Sequence, residues 1–306
     1  MRSSSGIAPT LLVLGGTGQV GFELCRSLAP LGRLVVPARS EFDMSHPDDL
    51  RRVIRSVRPE AVVCAAAYTG VDAAETHRAE AHAVNAVAPG VIAEEAAALG
   101  ALMVHYSSDY VFDGTKIEPY VEGDVVCPLS VYGQTKAAGE SAIVVSGARY
   151  LILRTSWVFG SHGRNFAKTI LHAALSRQSL RVVKDQFGAP TPASLIADVT
   201  AHVIRAHCRG ECEDSRLGTY HVAAAGETSW YGYACEVLRM AADRGMLTQI
   251  GPDYVVAVSS TDYPAAAARP ANSRLDTSRI TQDLGLYMPD WRDGIAHMLD
   301  QLSVSW

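Results

Sequence analysis

The chain has 306 residues, of which 48% are hydrophobic and 19% charged, so its composition is that of a globular protein and excludes a disordered one. Its 27 basic and 32 acidic residues leave a net charge of −5, which gives no basic footprint for nucleic acid. The longest apolar run, Ala61–Tyr68, is too short for a membrane helix. Six scattered cysteines are typical of a reduced cytoplasmic protein. The first aliphatic run passes directly into glycines, so no secretory signal is expected.

The first half of the chain alternates between strand-like and helix-like segments. Short aliphatic runs predict strands, and apolar residues recurring every three or four positions predict helices. The predicted strands are Leu11–Leu14, Leu34–Val36, Ala61–Cys64, Ala101–Ser107 and Tyr150–Thr155. The predicted helices are Gln19–Ala29, Asp48–Val57, Ala79–Leu99, with a break possible at Pro89, and Val131–Ser146. This alternation predicts an α/β fold with a Rossmann-type, doubly wound parallel sheet.

The alternation of strands and helices becomes less regular after residue 155. The elements predicted there are helices at Asn165–Arg177, Ser194–Cys208 and Trp230–Ala242, strands at Leu180–Val183 and Gly218–Val222, a loop at Tyr263–Pro270, and closing segments at Gln282–Met288 and Trp291–Leu302. We expect residues 1–156 to form mainly a nucleotide-binding core domain. Residues 157–306 should form mainly a smaller C-terminal substrate lobe, with segments that return to the core.

A glycine-rich loop follows the first predicted strand and opens the first predicted helix. Residues 15–21 have the spacing G-x-x-G-x-x-G. Glycines permit a tight turn there and let backbone amides approach a pyrophosphate, which the positive end of the helix also attracts. The loop therefore predicts binding of a dinucleotide. Its expected contacts are Gly15, Thr17, Gly18, Gln19 and Val20.

The end of the second strand indicates which ribose the site prefers. NAD-selective sites commonly place an acid about 20 residues after the glycine loop, but here Arg39 and Ser40 take that place. Arginine and serine can hydrogen-bond a 2′-phosphate, so we expect NADP(H), with NAD(H) as the alternative. Asp43 is also included in the predicted cofactor site, although it and Glu41 would weaken the preference for a phosphate. The competing interpretation is that Arg39 is a solvated surface residue.

Tyr132 and Lys136 have the spacing Y-x-x-x-K on a predicted helix, which puts both side chains on one face. An ammonium beside a phenol favours the phenolate, so we expect the pKa of Tyr132 to fall. Such a tyrosine can donate a proton to a carbonyl oxygen while hydride reaches the carbon. Ser108 follows the fourth strand, at the sheet edge where ligands bind, and could hydrogen-bond the reacting oxygen. The predicted catalytic residues are Ser108, in preference to Ser107, Tyr132 and Lys136.

Together, the glycine loop and Y-x-x-x-K resemble the extended short-chain dehydrogenase/reductases. Longer segments are similar to the dTDP-4-dehydrorhamnose reductase family, and those reading D-Y-V-F-D-G and D-Q-F-G-A-P-T are far more specific than the glycine loop. The matching segments cover most of the chain. They are Gly18–Leu24, Ala65–Thr69, Val71-Asp72 with Glu75, Ser108–Gly114, Leu153–Gly160, Asn165-Phe166, Asp185–Thr191, Arg269-Pro270 and Asn272-Ser273.

The resemblance implies an NADPH-dependent homodimer that reduces the 4-keto group of dTDP-4-dehydro-β-L-rhamnose to give dTDP-L-rhamnose. It also implies that Lys136 hydrogen-bonds the nicotinamide ribose. Ser108 stands where the family more usually has threonine. The cofactor groove would be lined by Ala65, Ala66, Ala67 and Tyr68. The sugar would be contacted by Ser108, Asp109, Tyr110 and Trp157.

The family also bears on metal binding. In some members a glutamate at the position of Glu23 joins a magnesium site between subunits. The other two acids of that site have no match here, since Gln301 stands beside Asp300 near the end of the chain. We therefore expect no metal, with Glu23 as the single candidate ligand for Mg²⁺.

Two other functions fit the same residues. One is reduction or epimerisation of another dTDP-deoxyhexose. The other is that of a non-catalytic regulatory subunit of methionine adenosyltransferase, the role of some relatives of the family. The complete Ser–Tyr–Lys set beside a sugar pocket favours an enzyme.

Four residues outside these motifs have less specific expectations. Trp230 and Trp291 are expected to be packing residues. Arg154, at the end of a strand, is either structural or in reach of the ligands. Asn85 either supports the active-site helix through hydrogen bonds or is a satisfied buried amide.

Overall fold

The computed structural model describes residues 8–210, 217–246 and 248–303. No helix in these ranges is both long and apolar enough to cross a membrane. The strands are β1 (Thr10–Leu14), β2 (Arg33–Val35), β3 (Ala61–Cys64), β4 (Leu102–Ser108), β5 (Arg149–Thr155), β6 (Val158–Phe159), β7 (Leu180–Val183), β8 (Phe187–Gly188), β9 (Thr191–Pro192), β10 (Gly218–His221), β11 (Thr228–Ser229) and β12 (Val255–Val258). The helices are α1 (Gln19–Leu28), α2 (Pro47–Val57), α3 (Val71–Ala74), α4 (Arg78–His82), α5 (Ala88–Leu99), α6 (Val131–Val145), α7 (Phe166–Ala174), α8 (Ala193–Cys208), α9 (Trp230–Asp243), α10 (Ser278–Leu284) and α11 (Trp291–Ser303).

Six parallel strands form the central sheet in the order β2-β1-β3-β4-β5-β10. The order reverses between β1 and β3, and such a reversal opens a crevice at the carboxyl ends of the strands. The last strand, β10, comes from the second half of the chain, and its His221 pairs with Arg154 of β5. The predicted fold class, a Rossmann-type doubly wound parallel sheet, is confirmed.

Both faces of the sheet are covered by helices. Successive residues of a strand point to opposite faces, so Leu11 and Val13 pack towards α1, α8 and α10. Leu12 and Leu14 pack on the other side, towards α2, α5 and α6. This arrangement explains why β1 is an unbroken aliphatic run, as is usual for a strand buried on both sides.

A separate hydrophobic core lies in the C-terminal half. It is built from α7, α9, α11 and the parallel pair β7–β12. Trp291 is fully buried at its centre, against the ring of Tyr233, so the predicted packing role of Trp291 is confirmed. Trp230 is partly buried at its border.

The structure differs from the predicted elements at several places, including β12 and α3, for which no element was predicted. The long helix is not broken at Pro89, because a π-helical turn at Ala83–Val87 precedes it and places the proline in the first turn of α5, where a missing N–H is tolerated. The segment Gln282–Met288 is helical only as far as Leu284, since Gly285 ends α10 in a left-handed conformation (φ 64°). Strands β6, β8, β9 and β11 have only two residues each, too few to produce a periodic pattern.

A buried ion pair joins the last helix before β5 to the sheet. The guanidinium of Arg154 donates two hydrogen bonds to the Glu140 carboxylate, with N···O distances of 2.9 and 2.6 Å. Both side chains are less than a tenth exposed, and Arg154 also lies over the Phe112 ring. Of the two roles expected for Arg154, the structural one is therefore what these contacts support.

Replacing Arg154 should destabilise the protein strongly. Arg154→Ala leaves the Glu140 carboxylate buried without its counter-ion, and breaking such a pair typically lowers the free energy of unfolding by about 3–5 kcal/mol. The measurement is urea unfolding followed by far-UV circular dichroism. Arg239→Ala is the matched control, because Arg239 also pairs with a glutamate, Glu236, but is half exposed. The interpretation fails if both variants unfold at the same urea concentration.

Candidate active site

The glycine loop connects β1 to α1 at the switch point of the sheet. Gly15 has a left-handed backbone (φ 92°), and a Cβ there would lie 2.5 Å from the backbone nitrogen of Ala66. Only glycine fits that position. Gly18 precedes α1 and provides no side-chain cap, so the amides of the first turn remain available to an anion. The loop thus has the backbone geometry of a phosphate-binding turn.

The segment after β3 lies directly beside this loop. The Ala65 amide donates to the carbonyl of Leu14 (2.8 Å), which brings Ala65–Tyr68 against Gly15. Asn85 holds the far end of the segment, because its side-chain amide both donates to the Tyr68 carbonyl and accepts from the Tyr68 amide, each at 2.9 Å. These contacts form a groove whose walls are the predicted cofactor residues of the two loops.

The residues that follow β2 are more exposed to solvent than those of the glycine loop and of the segment after β3. Arg39 and Ser40 are exposed, and in the described ranges no hydrogen bond or ion pair engages the Arg39 guanidinium. Asp43 instead accepts hydrogen bonds from the amide and hydroxyl of Ser45, both at 2.8 Å, which lower the pKa of its carboxyl. The Asp43 carboxylate is therefore hydrogen-bonded within its own turn, whereas the Arg39 side chain is exposed to solvent.

A segment of the second half rests on the glycine loop. The His162 ring lies 3.0 Å from the Thr17 carbonyl and stacks on Phe22, and the Asn165 side chain donates to that of Gln19 (3.0 Å). The spacing of residues in the sequence did not predict this contact. It fixes the loop from the side opposite β1.

The carboxyl end of β4 carries the polar residues expected there. The Ser108 hydroxyl donates to the Asp109 carboxylate (2.8 Å) and accepts from the Tyr110 amide (3.2 Å). Asp109 is buried, and burial raises the pKa of its carboxyl to about 6 although hydrogen bonds from Ser273 and Ser108 act in the opposite direction. Ser107 points elsewhere, and its hydroxyl has no hydrogen-bond partner within the described residues.

Helix α6 lies unusually close to two neighbouring backbones. A Cβ at Gly133 would be 2.2 Å from the Tyr110 carbonyl oxygen, and a Cβ at Gly139 would be 2.2 Å from the Asn85 carbonyl oxygen. The Ser130 hydroxyl and the Glu75 carboxylate accept from the free amides of its first turn. The helix is thereby held against the end of β4 and the π-helical turn.

This placement brings Tyr132 to Ser108. The Ser108 hydroxyl lies near enough to the Tyr132 phenol to act on its pKa, and Tyr110 packs edge-on against the Tyr132 ring with the centroids 5.7 Å apart. The expected fall in the pKa of Tyr132 is not found. Burial raises the pKa of Tyr132 to about 12, and the hydrogen bond from Ser108 only partly opposes this rise. The expectation was wrong because the Lys136 ammonium is directed elsewhere.

Lys136 is 2% exposed and points at β4. Its ammonium donates to the Tyr106 carbonyl oxygen (2.6 Å) and lies 3.2 Å from Nε2 of His105. Burial lowers the pKa of Lys136 to about 8. At neutral pH the site therefore holds a protonated tyrosine and a protonated lysine.

Asn85 supports the active-site helix, one of the two roles expected for it. Besides holding Tyr68, its amide donates to the Thr135 hydroxyl on α6 (3.2 Å), and it is 1% exposed. One buried amide thus links the cofactor groove to the helix of Tyr132 and Lys136.

Trp157 lies beyond Ser108 on the substrate side. It has a left-handed backbone (φ 48°), which is strained for a side chain of this size, and its ring stacks on Trp230 at 3.6 Å. Trp230, expected to be a packing residue, therefore also fixes the orientation of a predicted sugar contact. The two tryptophans are 73 positions apart, so no local pattern could have paired them.

An ion pair crosses the opening of the cleft. The Arg269 guanidinium donates to both oxygens of the Asp72 carboxylate, at 3.1 and 2.6 Å, and the Ala267 amide donates to the same carboxylate. Asp72 belongs to α3 and Arg269 to the C-terminal half. The pair lies close to Tyr110, whose side chain also hydrogen-bonds Arg269.

The surroundings of Glu23 do not fit a magnesium ion. Its carboxylate pairs with Arg26 (3.0 Å), and the small adjacent hollow is lined by Ser194, His297 and Gln301 rather than by further acids. Within the described ranges no group of three or more His, Cys, Asp or Glu side chains is arranged to hold a metal.

The structure brings most of the predicted site residues to one edge of the sheet. Ser108, Tyr132 and Lys136 meet at the end of β4, while the glycine loop and Ala65–Tyr68 meet at the ends of β1 and β3. Sequence reasoning missed His105 and did not foresee the contact between Trp230 and Trp157. The sequence does contain a signal for His105, because a histidine within the otherwise aliphatic start of β4 is unusual for a buried strand.

A parallel Rossmann sheet with a glycine loop after β1 and a Ser–Tyr–Lys set between β4 and α6 defines the short-chain dehydrogenase/reductase class. Comparison with known proteins gives the family. The model of the family described as RmlD substrate binding domain matches residues 9–304. The chain belongs to this family, in which its curated relatives are dTDP-4-dehydrorhamnose reductases, and it is an NAD(P)H-dependent oxidoreductase.

Three relatives show the extent of the similarity. The dTDP-4-dehydrorhamnose reductase of Escherichia coli K12 is 45% identical over 296 residues, covering 95% of this chain and 97% of the relative. That of Burkholderia thailandensis is 44% identical over 283 residues, with coverages of 92% and 95%. The crystal structure of the Bacillus anthracis reductase in complex with NADP is 30% identical, with a TM-score of 0.86 and coverages of 96% and 100%. The family predicted from the sequence is confirmed.

Gly133→Ala should impair turnover more than folding. The added methyl would overlap the Tyr110 carbonyl, so α6 must move away from β4 and carry Tyr132 with it. A displacement of about 1 Å can reduce kcat about 10²-fold. The control is Gly251→Ala, since nothing lies within 4 Å of a Cβ there. Steady-state reductase assays check the prediction, which equal kcat values in both variants would contradict.

Proposed function

We propose that the chain reduces the 4-keto group of dTDP-4-dehydro-β-L-rhamnose with NADPH and so produces dTDP-L-rhamnose. The observation that carries the proposal is the proximity of the Ser108 hydroxyl to the Tyr132 phenol, with Lys136 buried one turn further along α6, at the sheet edge where ligands of this fold bind. The names of the relatives support the choice of substrate.

The cofactor would lie across the ends of β1 and β3. Backbone amides of Gly15, Thr17, Gly18, Gln19 and Val20 would bind the pyrophosphate, and Ala65, Ala66, Ala67 and Tyr68 would line the groove towards Lys136. Arg39 and Ser40 would face the adenosine ribose, with Asp43 at the margin. Two features fit a dinucleotide. A Cβ would fill the cradle at Gly15, and the first turn of α1 has no side-chain cap. When bound, NADPH supplies the hydride.

Tyr132 would supply the proton. Because burial raises its pKa to about 12, the phenol is fully protonated at neutral pH and can donate to the substrate oxygen as the carbonyl carbon becomes tetrahedral. Ser108 would donate a hydrogen bond to the same oxygen. The Lys136 ammonium, directed at the Tyr106 carbonyl and His105, would bind the nicotinamide ribose rather than the phenolate, which is then reprotonated from solvent.

The sugar would be held by residues around the catalytic pair. Asp109 offers a buried carboxyl group next to Ser108, Tyr110 packs against the Tyr132 ring, and Trp157 provides an apolar surface fixed by Trp230. Carboxylates bind sugar hydroxyls and aromatic faces bind the apolar side of a sugar ring. These contacts favour a sugar substrate over the regulatory role, which would need no proton donor.

This assignment gives the two halves of the chain different binding roles. Residues 1–156 would mainly bind the cofactor and residues 157–306 mainly the substrate, with β10 among the segments that return to the sheet. We further propose a cytoplasmic homodimer, on the strength of the family resemblance. Light scattering after gel filtration tests the dimer, for which a mass near twice 32.7 kDa is expected.

The decisive experiment identifies the product. Purified protein is incubated with NADPH and enzymatically made dTDP-4-dehydro-β-L-rhamnose, and the sugar is analysed by NMR. The expected product has the rhamno configuration at C4, with one NADPH oxidised per sugar. A product of the other C4 configuration would indicate reduction of the same sugar with the opposite stereochemistry, and absence of NADPH oxidation would exclude the proposed activity.

Tyr132→Phe removes the proton donor but keeps the ring that packs on Tyr110. We expect kcat to fall about 10²–10⁴-fold, while the Kd for NADPH changes little. Turnover is followed by NADPH absorbance and binding by its fluorescence. Tyr287→Phe, at a highly exposed position, is the control. If Tyr132→Phe retains near-normal turnover, Tyr132 is not the acid.

Arg39→Ala tests the choice of cofactor. A hydrogen bond to a charged group contributes about 1.5–3 kcal/mol, and each 1.4 kcal/mol is about tenfold in affinity, so the wild type should prefer NADPH over NADH about ten- to a hundredfold. The variant should lose most of that preference in kcat/KM. Arg33→Ala, at the opposite end of β2, should keep it. Equal use of both cofactors by the wild type would make Arg39 a solvated surface residue.

A further inference from the structure

His105 occupies an unusual position for a polar residue. It lies in the middle of β4, inside the aliphatic layer between the sheet and α6, and is 1% exposed. Its Nε2 is 3.2 Å from the Nζ of Lys136, which is itself 2% exposed. Two basic side chains therefore meet in a region from which water is excluded.

While Lys136 carries its charge, the contacts allow one arrangement of protons. The Lys136 ammonium donates one N–H to the Tyr106 carbonyl and a second to His105, and only an unprotonated Nε2 can accept it. The imidazole proton must then be on Nδ1, which has no hydrogen-bond partner among the described residues. An apolar residue would avoid the cost of burying that N–H, so packing alone does not explain a histidine here.

We propose that His105 is a positioning residue, whose neutral imidazole directs the Lys136 ammonium and keeps it protonated. The third N–H of the ammonium is thereby turned towards the cleft. This inference rests on the proposed reductase function, in which Lys136 acts beside Tyr132. His105 itself would touch neither substrate nor cofactor.

The other groups around Lys136 make no hydrogen bond to its ammonium, although the charge of Glu140 also favours the protonated form. On β3, burial raises the pKa of the Cys64 thiol to about 11, so the thiol is neutral at the relevant pH. On α6, the Glu140 carboxylate is hydrogen-bonded to Arg154, and the Tyr132 phenol lies near Ser108. On β4, the Tyr106 hydroxyl is directed to Thr200. In the described part of the chain, these elements offer the ammonium two hydrogen-bond acceptors. One is the Tyr106 carbonyl, and the other is Nε2 of His105.

A pair of amide variants isolates the acceptor at Nε2. In His105→Gln the side-chain amide reaches the place of Nε2, whereas in His105→Asn it reaches only the place of Nδ1. Both variants bury an amide in the same layer, so a purely structural role predicts similar behaviour. Thermal unfolding measures how far each variant is destabilised.

The readout is the pH dependence of NADPH binding and of kcat/KM for NADPH, which reports groups of the free enzyme. Without the acceptor the charged form of Lys136 is less favoured, so its pKa falls from about 8. In His105→Asn the alkaline loss of binding and of kcat/KM should move to lower pH by about one unit. His105→Gln should retain a profile close to that of the wild type. Identical profiles in the two variants would overturn the proposal.

Nitrogen NMR of the wild type provides a test that needs no variant. With ¹⁵N-labelled histidine, His105 should show an unprotonated Nε2 and a protonated Nδ1 from about pH 6 to 7, where Lys136 is charged, without titrating. A protonated Nε2, or titration within that range, would overturn the proposal. The NMR and NADPH-binding experiments do not use the sugar. They can therefore contradict the proposed role of His105 independently of the proposed substrate.

Discussion

Helix α6 lies against two other backbones at a separation that only glycine permits, and the chemistry of the site depends on that contact. Gly133 faces the carbonyl of Tyr110, and Gly139 faces the carbonyl of Asn85. The first contact sets the depth at which Tyr132 meets Ser108, and the second sets the depth at which Lys136 meets β4. Any larger residue at either glycine would move the whole row of side chains, because a helix shifts as a rigid body.

Burial is the second constraint on the site. It raises the pKa values of Tyr132 and Asp109 and lowers that of Lys136, since it disfavours every charged form. The phenol of Tyr132 therefore stays protonated at neutral pH. The Lys136 ammonium is stabilised by the Tyr106 carbonyl and the His105 imidazole in place of water.

Features that depend on local spacing were predictable from the sequence. The glycine loop, the Y-x-x-x-K pair and the alternation of strands and helices each require only a few consecutive turns of chain, and the structure has them at the predicted places. Features that depend on how distant segments meet were not. The direction of the Lys136 side chain, which keeps its charge away from Tyr132, is set by the carbonyl of Tyr106 and by His105, about 30 residues earlier. The stacking of Trp230 on Trp157 and the pairing of Asp72 with Arg269 likewise required the folded chain.

The position of β10 has a consequence for the synthesis of the protein. Strand β5 is complete at Thr155, but its outer edge has no partner until Gly218–His221 has been made. At the usual rate of about 5–20 residues per second, several seconds pass on the ribosome while this edge and its apolar side chains stay uncovered. Unpaired edges bind other chains, so this interval is when the nascent protein is most exposed to misassembly. A fragment that stopped before β10 would carry that open edge permanently, although it would contain Ser108, Tyr132 and Lys136.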